Sequence, residues 1–315
     1  IETPDDAQPP IMPLAPSQED EEEPRRALPT TRRRVLTGAK EWKKFQEVEY
    51  SDTFIGKIQE LYERGLTRAE GDFQKMQRSL FASQHMDVMR RLRAQRASPG
   101  WLTKALPLLE IFNLGEWIQR YMKRGLPVFI DVVTLAATQQ NNAFSLGVSF
   151  DLRKIQPWLD RRVEFWAGQV NQETGRLLVQ ELEESIAQGE SIKQIQERVE
   201  RVFDFSDIVR SERIARTETQ VAMNEGAVEI YRQSGIVERK MWLSTLDSRV
   251  RDTHLAAHRQ VVELEGMFLV GGEAISHPGE GSPENAINCR CTVAPVLARR
   301  TWTPPLLSIL SAKEV

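Results

Sequence analysis

The spacing of the hydrophobic residues changes once along this chain, near Gly235, and that change constrains the fold class most. Upstream, apolar residues recur at steps of three and four, which is the spacing of one face of an α-helix. The longest such stripe consists of Ile55, Ile58, Tyr62, Leu66, Ala69, Phe73, Met76 and Leu80. Downstream, the apolar runs are short and alternating, as in strands. We therefore predict an α+β chain: a mostly helical body followed by a small C-terminal antiparallel sheet module with a short helix.

Composition and helix-breaking residues divide the chain into five segments. Residues 1–34 hold many prolines and an acidic run, which predicts a disordered linker; a charged arm that docks on a partner is the alternative. We predict an amphipathic helical segment over 35–98, whose long stripe needs a partner helix from this chain or from another copy. Ser98-Pro99-Gly100 marks a boundary. The last three segments are a helical body (101–205), a C-terminal module (206–300) and a tail (301–315).

Periodicity and capping residues also predict the individual elements. The predicted helices are 52–82, two within 101–139 separated at Gly125 and Pro127, 156–170 opened by Pro157, 172–187, 191–202 and 206–234. The predicted strands are 237–243, 260–264, 267–270 and 293–297, with a short helix at 248–257 and a long loop from Gly271. Ser191 and Ser206 are candidate N-caps, and Gly235 is a candidate helix end.

The charge pattern limits the classes of partner. The formal net charge of -3 gives no overall basic field, so nucleic acid is not implied by charge alone. Between Asp87 and Glu110 there is no acidic residue but several basic ones, which could contact phosphate or form an ordinary solvated helix surface. These basic residues are Arg90, Arg91, Arg93, Arg96 and Lys104. No apolar run reaches the roughly 18 residues expected of a membrane-spanning helix, so we predict no membrane partner.

Residues that bind metals are scarce here and gather in one stretch. Three of the four histidines and both cysteines fall between Trp242 and Thr292. His254 and His258 are four residues apart on a predicted helix and would share one face, and Cys289 and Cys291 follow on a turn. Two imidazoles and two thiolates would complete a tetrahedral zinc set of the structural kind.

Other interpretations of this stretch remain open. His277 is a reserve ligand if His258 points elsewhere. The histidines could instead bond to Asp247, Asp252 or the backbone, while the cysteines pack as small apolar side chains. A metal-dependent hydrolase or self-processing enzyme is the functional alternative. It is disfavoured because no glutamate base stands between His254 and His258, and no nucleophile elbow or phosphate-binding loop is present.

Two further groups of residues suggest structural support. On the helix predicted at 206–234, Arg216 and Asn224 lie two turns apart and could hold a loop, although ordinary surface polarity is the alternative. Ala222 and Gly226 on the same helix would let a neighbouring element approach closely. Asp247-Ser248-Arg249 is predicted to form a turn that caps the short helix.

Motifs of the C-terminal half resemble a known family. They are Arg216-Thr217-Glu218-Thr219, Asn224, Gly226, Tyr231, Gly235, Trp242, Asp247-Ser248-Arg249, His254 and Asn288-Cys289-Arg290-Cys291-Thr292. Their order and spacing resemble those of the phage Mu F-like head morphogenesis family, the minor capsid proteins of tailed phages and prophages. The resemblance covers about 200–295, and more loosely the region from about 105. It singles out Arg216, Asn224, Asp247, Arg249 and Asn288 as structural motif residues.

The resemblance implies a non-enzymatic structural role in the virion. Members of the family associate with the portal inside the phage head, assist assembly and in some cases assist DNA delivery. Residues 1–95 look like the end of a portal-type protein, and a start at Ile1 rather than Met would suit a fusion or processed product. Many relatives carry a C-x-x-C pair where this chain has Arg251 and His254, and a glycine where Arg259 stands. The resemblance therefore leaves the fourth zinc ligand open unless His258 supplies it.

Overall fold

The computed structural model describes residues 50–95 and 111–297, all within the unit Gln46–Val315. Its helices are α1 (Asp52–Gln95), α2 (Leu114–Phe144), α3 (Leu152–Ala187), α4 (Ile192–Phe205), α5 (Ser211–Ser234), α6 (Asp252–Ala256) and α7 (Pro283–Ala286), with a π-helical turn at Ser206–Arg210. Its strands are β1 (Val237–Leu243), β2 (Val261–Glu263), β3 (Phe268–Val270), β4 (Glu273–Ile275) and β5 (Thr292–Leu297). The predicted α+β layout is confirmed. The predicted linker (1–34), the boundary at 98–100, the tail (301–315), Arg96 and Lys104 lie outside the described residues.

The long apolar stripe of α1 is buried inside this chain. Its members from Tyr62 to Leu80 pack in one core with α2, α3, α4 and α5, and Ile55 and Ile58 pack in a second core with the sheet. The ring of Phe73 contacts Phe129 of α2 and Trp166 of α3 edge-on, with centroids 5.2 and 5.5 Å apart. The partner that the stripe requires is therefore supplied by the same chain, and the stripe is not available to a second copy.

Three predicted helix boundaries are wrong: α2 runs through Gly125 and Pro127, α3 begins before Pro157, and α3 continues through residue 171, where two separate helices were predicted. At Gly125 a Cβ atom would lie 2.2 Å from the ring of Trp166, so this glycine is needed for the packing of α2 on α3. Helix α3 begins at Leu152, because Asp151 caps it by accepting the Arg153 N–H at 3.1 Å. Packing on both sides keeps these helices continuous despite the proline residues.

The junction between α4 and α5 also differs from the prediction. Ser206 does not cap a helix; its hydroxyl donates to the Val202 carbonyl at 2.7 Å within the π-helical turn. The turn carries the buried Arg210, whose guanidinium donates to Ser206 Oγ at 2.8 Å and lies 5.1 Å from the ring centroid of Phe81. The cap at Ser191 and the helix end at Gly235, with φ +66°, agree with the prediction.

Helix α5 is the element on which the rest of the chain packs. Its first half belongs to the helical core, and its second half packs under the sheet. A Cβ atom at Gly226 would lie 2.5 Å from the Val133 carbonyl oxygen, so the backbones of α5 and α2 meet at this glycine. The close approach predicted at Gly226 is therefore observed, and Ala222 is buried in the helical core.

The C-terminal module holds two small antiparallel sheets. Strand β1 lies between β2 and β5, with Met241 opposite Val261 and Ala294. Strands β3 and β4 form a separate hairpin. The sequence predicted a loop from Gly271, but Gly271 and Gly272 have φ of +59° and +84° and form the two-residue turn of this hairpin. Within the described ranges, no helix is long and apolar enough to cross a membrane.

Candidate metal centre

A short helix and a turn bring His254 towards the sheet. The backbone N–H of Arg249 donates to the Asp247 carboxylate at 3.0 Å, and the Val250 N–H donates to the Asp247 carbonyl at 3.2 Å. Because these residues form a turn, α6 begins at Asp252, four residues later than predicted. His254 then lies buried on α6, with its ring edge-on to Trp242 of β1 at a centroid distance of 5.5 Å.

The two cysteines immediately precede β5. Helix α7 ends before them, and Asn288 adopts a φ of +56°, which turns the chain inward. The Cys289 N–H donates to the Ala286 carbonyl at 3.2 Å, and Cys291 leads directly into the pairing of β5 with β1. Both thiols are free and buried.

His254, Cys289 and Cys291 form a group that is close enough to hold one metal ion, with their ligand atoms all within 4.8 Å of one another. The His254 Nδ1 lies 3.4 Å from the Cys291 Sγ and 3.7 Å from the Cys289 Sγ. Tetrahedral zinc–nitrogen and zinc–sulfur bonds would place ligand atoms about 3.3–3.8 Å apart. Both distances from His254 to the cysteines lie in this range.

Neighbouring groups prepare two of these side chains for metal binding. The His254 Nε2 lies 3.3 Å from the Asn285 Oδ1, so a proton on Nε2 would leave the Nδ1 lone pair facing the sulfurs. Hydrogen bonding from the Cys289 thiol lowers the pKa of Cys291, which opposes the effect of burial. The same interaction, together with burial, raises the pKa of Cys289. The lowered pKa favours the thiolate form of Cys291, which is the form that binds metals.

The structure does not bring His258 or His277 into the group. Helix α6 ends at Ala256, so His258 lies beyond it and does not share a helical face with His254. Its Nδ1 accepts the Ser244 N–H at 3.1 Å. His277 is buried elsewhere, with its Nε2 3.0 Å from the Glu225 Oε2. Of the two histidines and two cysteines in the predicted set, the structure therefore brings together His254, Cys289 and Cys291.

A buried amide network holds the cysteine segment against α5. The Asn224 side chain accepts the Val293 N–H at 3.2 Å and donates to the Cys291 carbonyl at 3.2 Å. The Gln220 amide also donates to the Cys291 carbonyl and lies 3.8 Å from the Cys289 Sγ. The loop-holding role predicted for Asn224 corresponds to these contacts.

Gln220 and Tyr62 also belong to this network, although no sequence pattern had indicated them. The Tyr62 hydroxyl donates to the Gln220 Oε1 at 2.8 Å and accepts from the Asn224 Nδ2 at 3.0 Å. Gln220 is four residues before Asn224 on one helix face, a spacing that sequence can reveal. Tyr62 belongs to α1, and no local pattern connects it with the cysteines.

A cleft of about 310 Å³ opens beside the metal group. His254 and both cysteines line it, together with four arginines: Arg216, Arg249, Arg251 and Arg290. Thr245, Asp247 and Asn288 complete its polar lining. Four of the motif residues predicted from sequence, Arg216, Asp247, Arg249 and Asn288, therefore lie around one cleft.

Comparisons with known proteins find similarity in the C-terminal half of the chain. Residues 178–294 match the family described as Phage Mu protein F like protein. The chain is also similar to the NAD(+)--arginine ADP-ribosyltransferase EFV of Enterococcus faecalis (strain ATCC 700802 / V583), with 34% identity over 89 residues. That match covers 27% of this chain and 18% of the relative, so this chain spans less than a fifth of the relative's length. No solved structure matches the chain. Residues 178–294, which contain His254, Cys289 and Cys291, therefore resemble the phage Mu F-like family, and this family implies a phage head morphogenesis protein.

Proposed function

We propose that this chain is a minor head protein of a tailed phage or prophage that associates with the portal during head assembly. It resides in the virion, at the portal vertex of the head interior, and assists DNA packaging or delivery. The family match over 178–294 carries this proposal. The α1 stripe lends it no support, since that stripe is buried within the chain. Portal contact must therefore use another surface.

The basic helix end contributes little to a nucleic-acid proposal. Arg90 and Arg91 both pair with Asp87, and Arg91 also lies 3.3 Å from Glu116. These carboxylates offset much of the positive charge that the sequence pattern indicated at this helix end. Contact of this helix with DNA is therefore secondary to the portal proposal.

Co-expression with the portal protein encoded beside this gene tests the proposed association. We expect the two proteins to co-purify through size-exclusion chromatography, and mass spectrometry of purified particles to find this chain in the head. A chain that is absent from particles and does not bind the portal would refute the proposal.

We further propose that His254, Cys289 and Cys291 hold a structural zinc ion. The ion would cross-link α6 to the segment before β5 and so stabilise a module whose strands are short. The three side chains are almost fully buried, which favours a structural role, although a three-residue set leaves the fourth position of the ion to a ligand from the cleft that they line. In addition, the Asp247 carboxylate accepts bonds from Arg249, with the Arg249 Nη2 at 2.7 Å, and is not positioned as a free base.

A matched pair of histidine variants tests the zinc proposal. We expect His254→Ala to lose most bound zinc under reducing conditions and to lower the melting temperature, since a ligand is removed. His258→Ala should retain zinc, because His258 bonds to the Ser244 backbone instead. Zinc content is measured by mass spectrometry of the purified protein. Loss of zinc in His258→Ala alone would contradict the three-residue assignment. Metal-dependent hydrolysis that disappears in a folded His254→Ala variant would favour the enzyme alternative.

A further inference from the structure

Arginines from three separate segments surround the cleft beside the metal group. Arg216 comes from α5, Arg249 and Arg251 from the residues before α6, and Arg290 from the segment before β5. Each guanidinium stays charged and offers five N–H donors in a planar fork. Four cations around a cleft of about 310 Å³ repel one another unless anions are close to them.

Two of these arginines keep unused donors. Arg249 donates hydrogen bonds from Nε and Nη2 to the Asp247 Oδ2, at 3.0 and 2.7 Å. Three of its five N–H groups therefore take no part in that ion pair. Arg216 bonds to Glu212 through Nη2. Its Nε is buried, and no acceptor within the described part of the chain reaches it. A buried donor without an acceptor indicates a place for a ligand or an ordered water.

The positive charges of the other two arginines are also only partly balanced by nearby carboxylates. The Arg290 Nη2 lies 3.5 Å from the Glu70 carboxylate, and Arg251 donates through Nη2 to the Ile287 carbonyl, which carries no full charge. Three carboxylates, Asp247, Glu212 and Glu70, thus pair with three of these arginines, and Arg251 pairs with a neutral carbonyl. Donors of Arg249 and Arg216 remain unused beside the cleft.

We propose that this cleft binds a phosphate group through the guanidiniums of Arg216, Arg249 and Arg290. A phosphate directs its oxygens to several sides and can accept from forks that approach from different segments, whereas a carboxylate presents two oxygens in one plane. The phosphate can belong to a small free anion or to the backbone of a nucleic acid. This site is separate from the basic end of α1.

A titration with pyrophosphate tests the site on the full chain at low ionic strength. Arg249 is the residue to change, since its side chain is 78% exposed and its loss should not disturb the fold. Arg153 is a matched control: it is 90% exposed and forms the same kind of pair with Asp151, two residues before it. We expect Arg249→Gln to weaken binding about tenfold, Arg249→Lys to weaken it less, and Arg153→Gln to leave it unchanged.

The outcomes separate the possible sources of the phosphate. If a short single-stranded oligonucleotide competes with pyrophosphate and is weakened by Arg249→Gln, the ligand is a nucleic-acid backbone. If pyrophosphate binds and the oligonucleotide does not, the ligand is a small phosphate; both results support the site. The proposal is overturned if neither binds more tightly than chloride at equal ionic strength, or if a folded Arg249→Gln variant binds as tightly as the unchanged chain.

Discussion

Lys240 is the most informative position at which to test the packing of the C-terminal module. It lies in the middle of β1, opposite Val262 and Pro295, and its side chain is fully buried. Its ammonium lies 5.6 Å from the ring centroid of Phe268, and among the described residues no hydrogen-bond acceptor reaches its Nζ. Burial, followed by the charge of Arg232, lowers the pKa of Lys240 from 10.5 to about 8.

The magnitude and the sign follow from this pKa. The folded state binds the lysine proton less tightly than the unfolded state, so the free energy of unfolding rises as the pH increases from about 8 to 10.5. At about 1.4 kcal/mol for each pKa unit, burying the charged form costs about 3 kcal/mol at neutral pH. Lys240→Met keeps a similar side-chain volume without the charge. We therefore expect this variant to be more stable than the unchanged protein by about 3 kcal/mol at pH 7.

Urea denaturation followed by tryptophan fluorescence at pH 7, 8, 9 and 10 measures the effect. The stability difference between Lys240→Met and the unchanged protein should narrow steadily as the pH rises, because other titrating groups are common to both proteins and cancel. Lys193→Met, at a side chain that is 87% exposed, should show no such trend. A Lys240→Met variant that is less stable at pH 7, or a difference that does not change with pH, would refute the reasoning.

Two further predictions concern α5. Gly226→Ala should destabilise the protein by about 1–3 kcal/mol, since the added Cβ would meet the Val133 carbonyl oxygen. The control is Gly168→Ala on α3, where the Cβ would have open space. In the same urea assay this control should stabilise the protein by up to about 1 kcal/mol. The second prediction concerns the ion pair of His277 and Glu225. Burial disfavours the charged form of each side chain, but the hydrogen bond between them has the larger effect. It raises the pKa of His277 above 6.5 and lowers the pKa of Glu225 to about 2. The pair should stabilise most between about pH 4.5 and 6.5, with loss as the pH falls towards 2 or rises through the raised histidine pKa. Glu225→Gln should flatten a plot of melting temperature against pH, and an unchanged plot would count against the pair.

Local pattern determined most of the secondary structure of this protein. The stripe of α1, the cap at Ser191, the end of α5 at Gly235 and the strand Val237–Leu243 all follow from spacing and capping rules that involve near neighbours. The scarcity of histidine and cysteine also indicated the stretch in which His254, Cys289 and Cys291 lie close together. Such signals are readable because each arises from side chains within a few residues of one another.

Tertiary packing decided what local pattern left open. Gly125 and Pro127 looked like a helix break, but Trp166 fills the space at Gly125 and the helix continues. His258 shared the spacing of His254 and still lies outside the metal group, because α6 ends between them. Likewise, Tyr62 reaches the cysteine segment from α1. Contacts between distant segments depend on how helices and strands pack, and the sequence around either partner carries no signal of them.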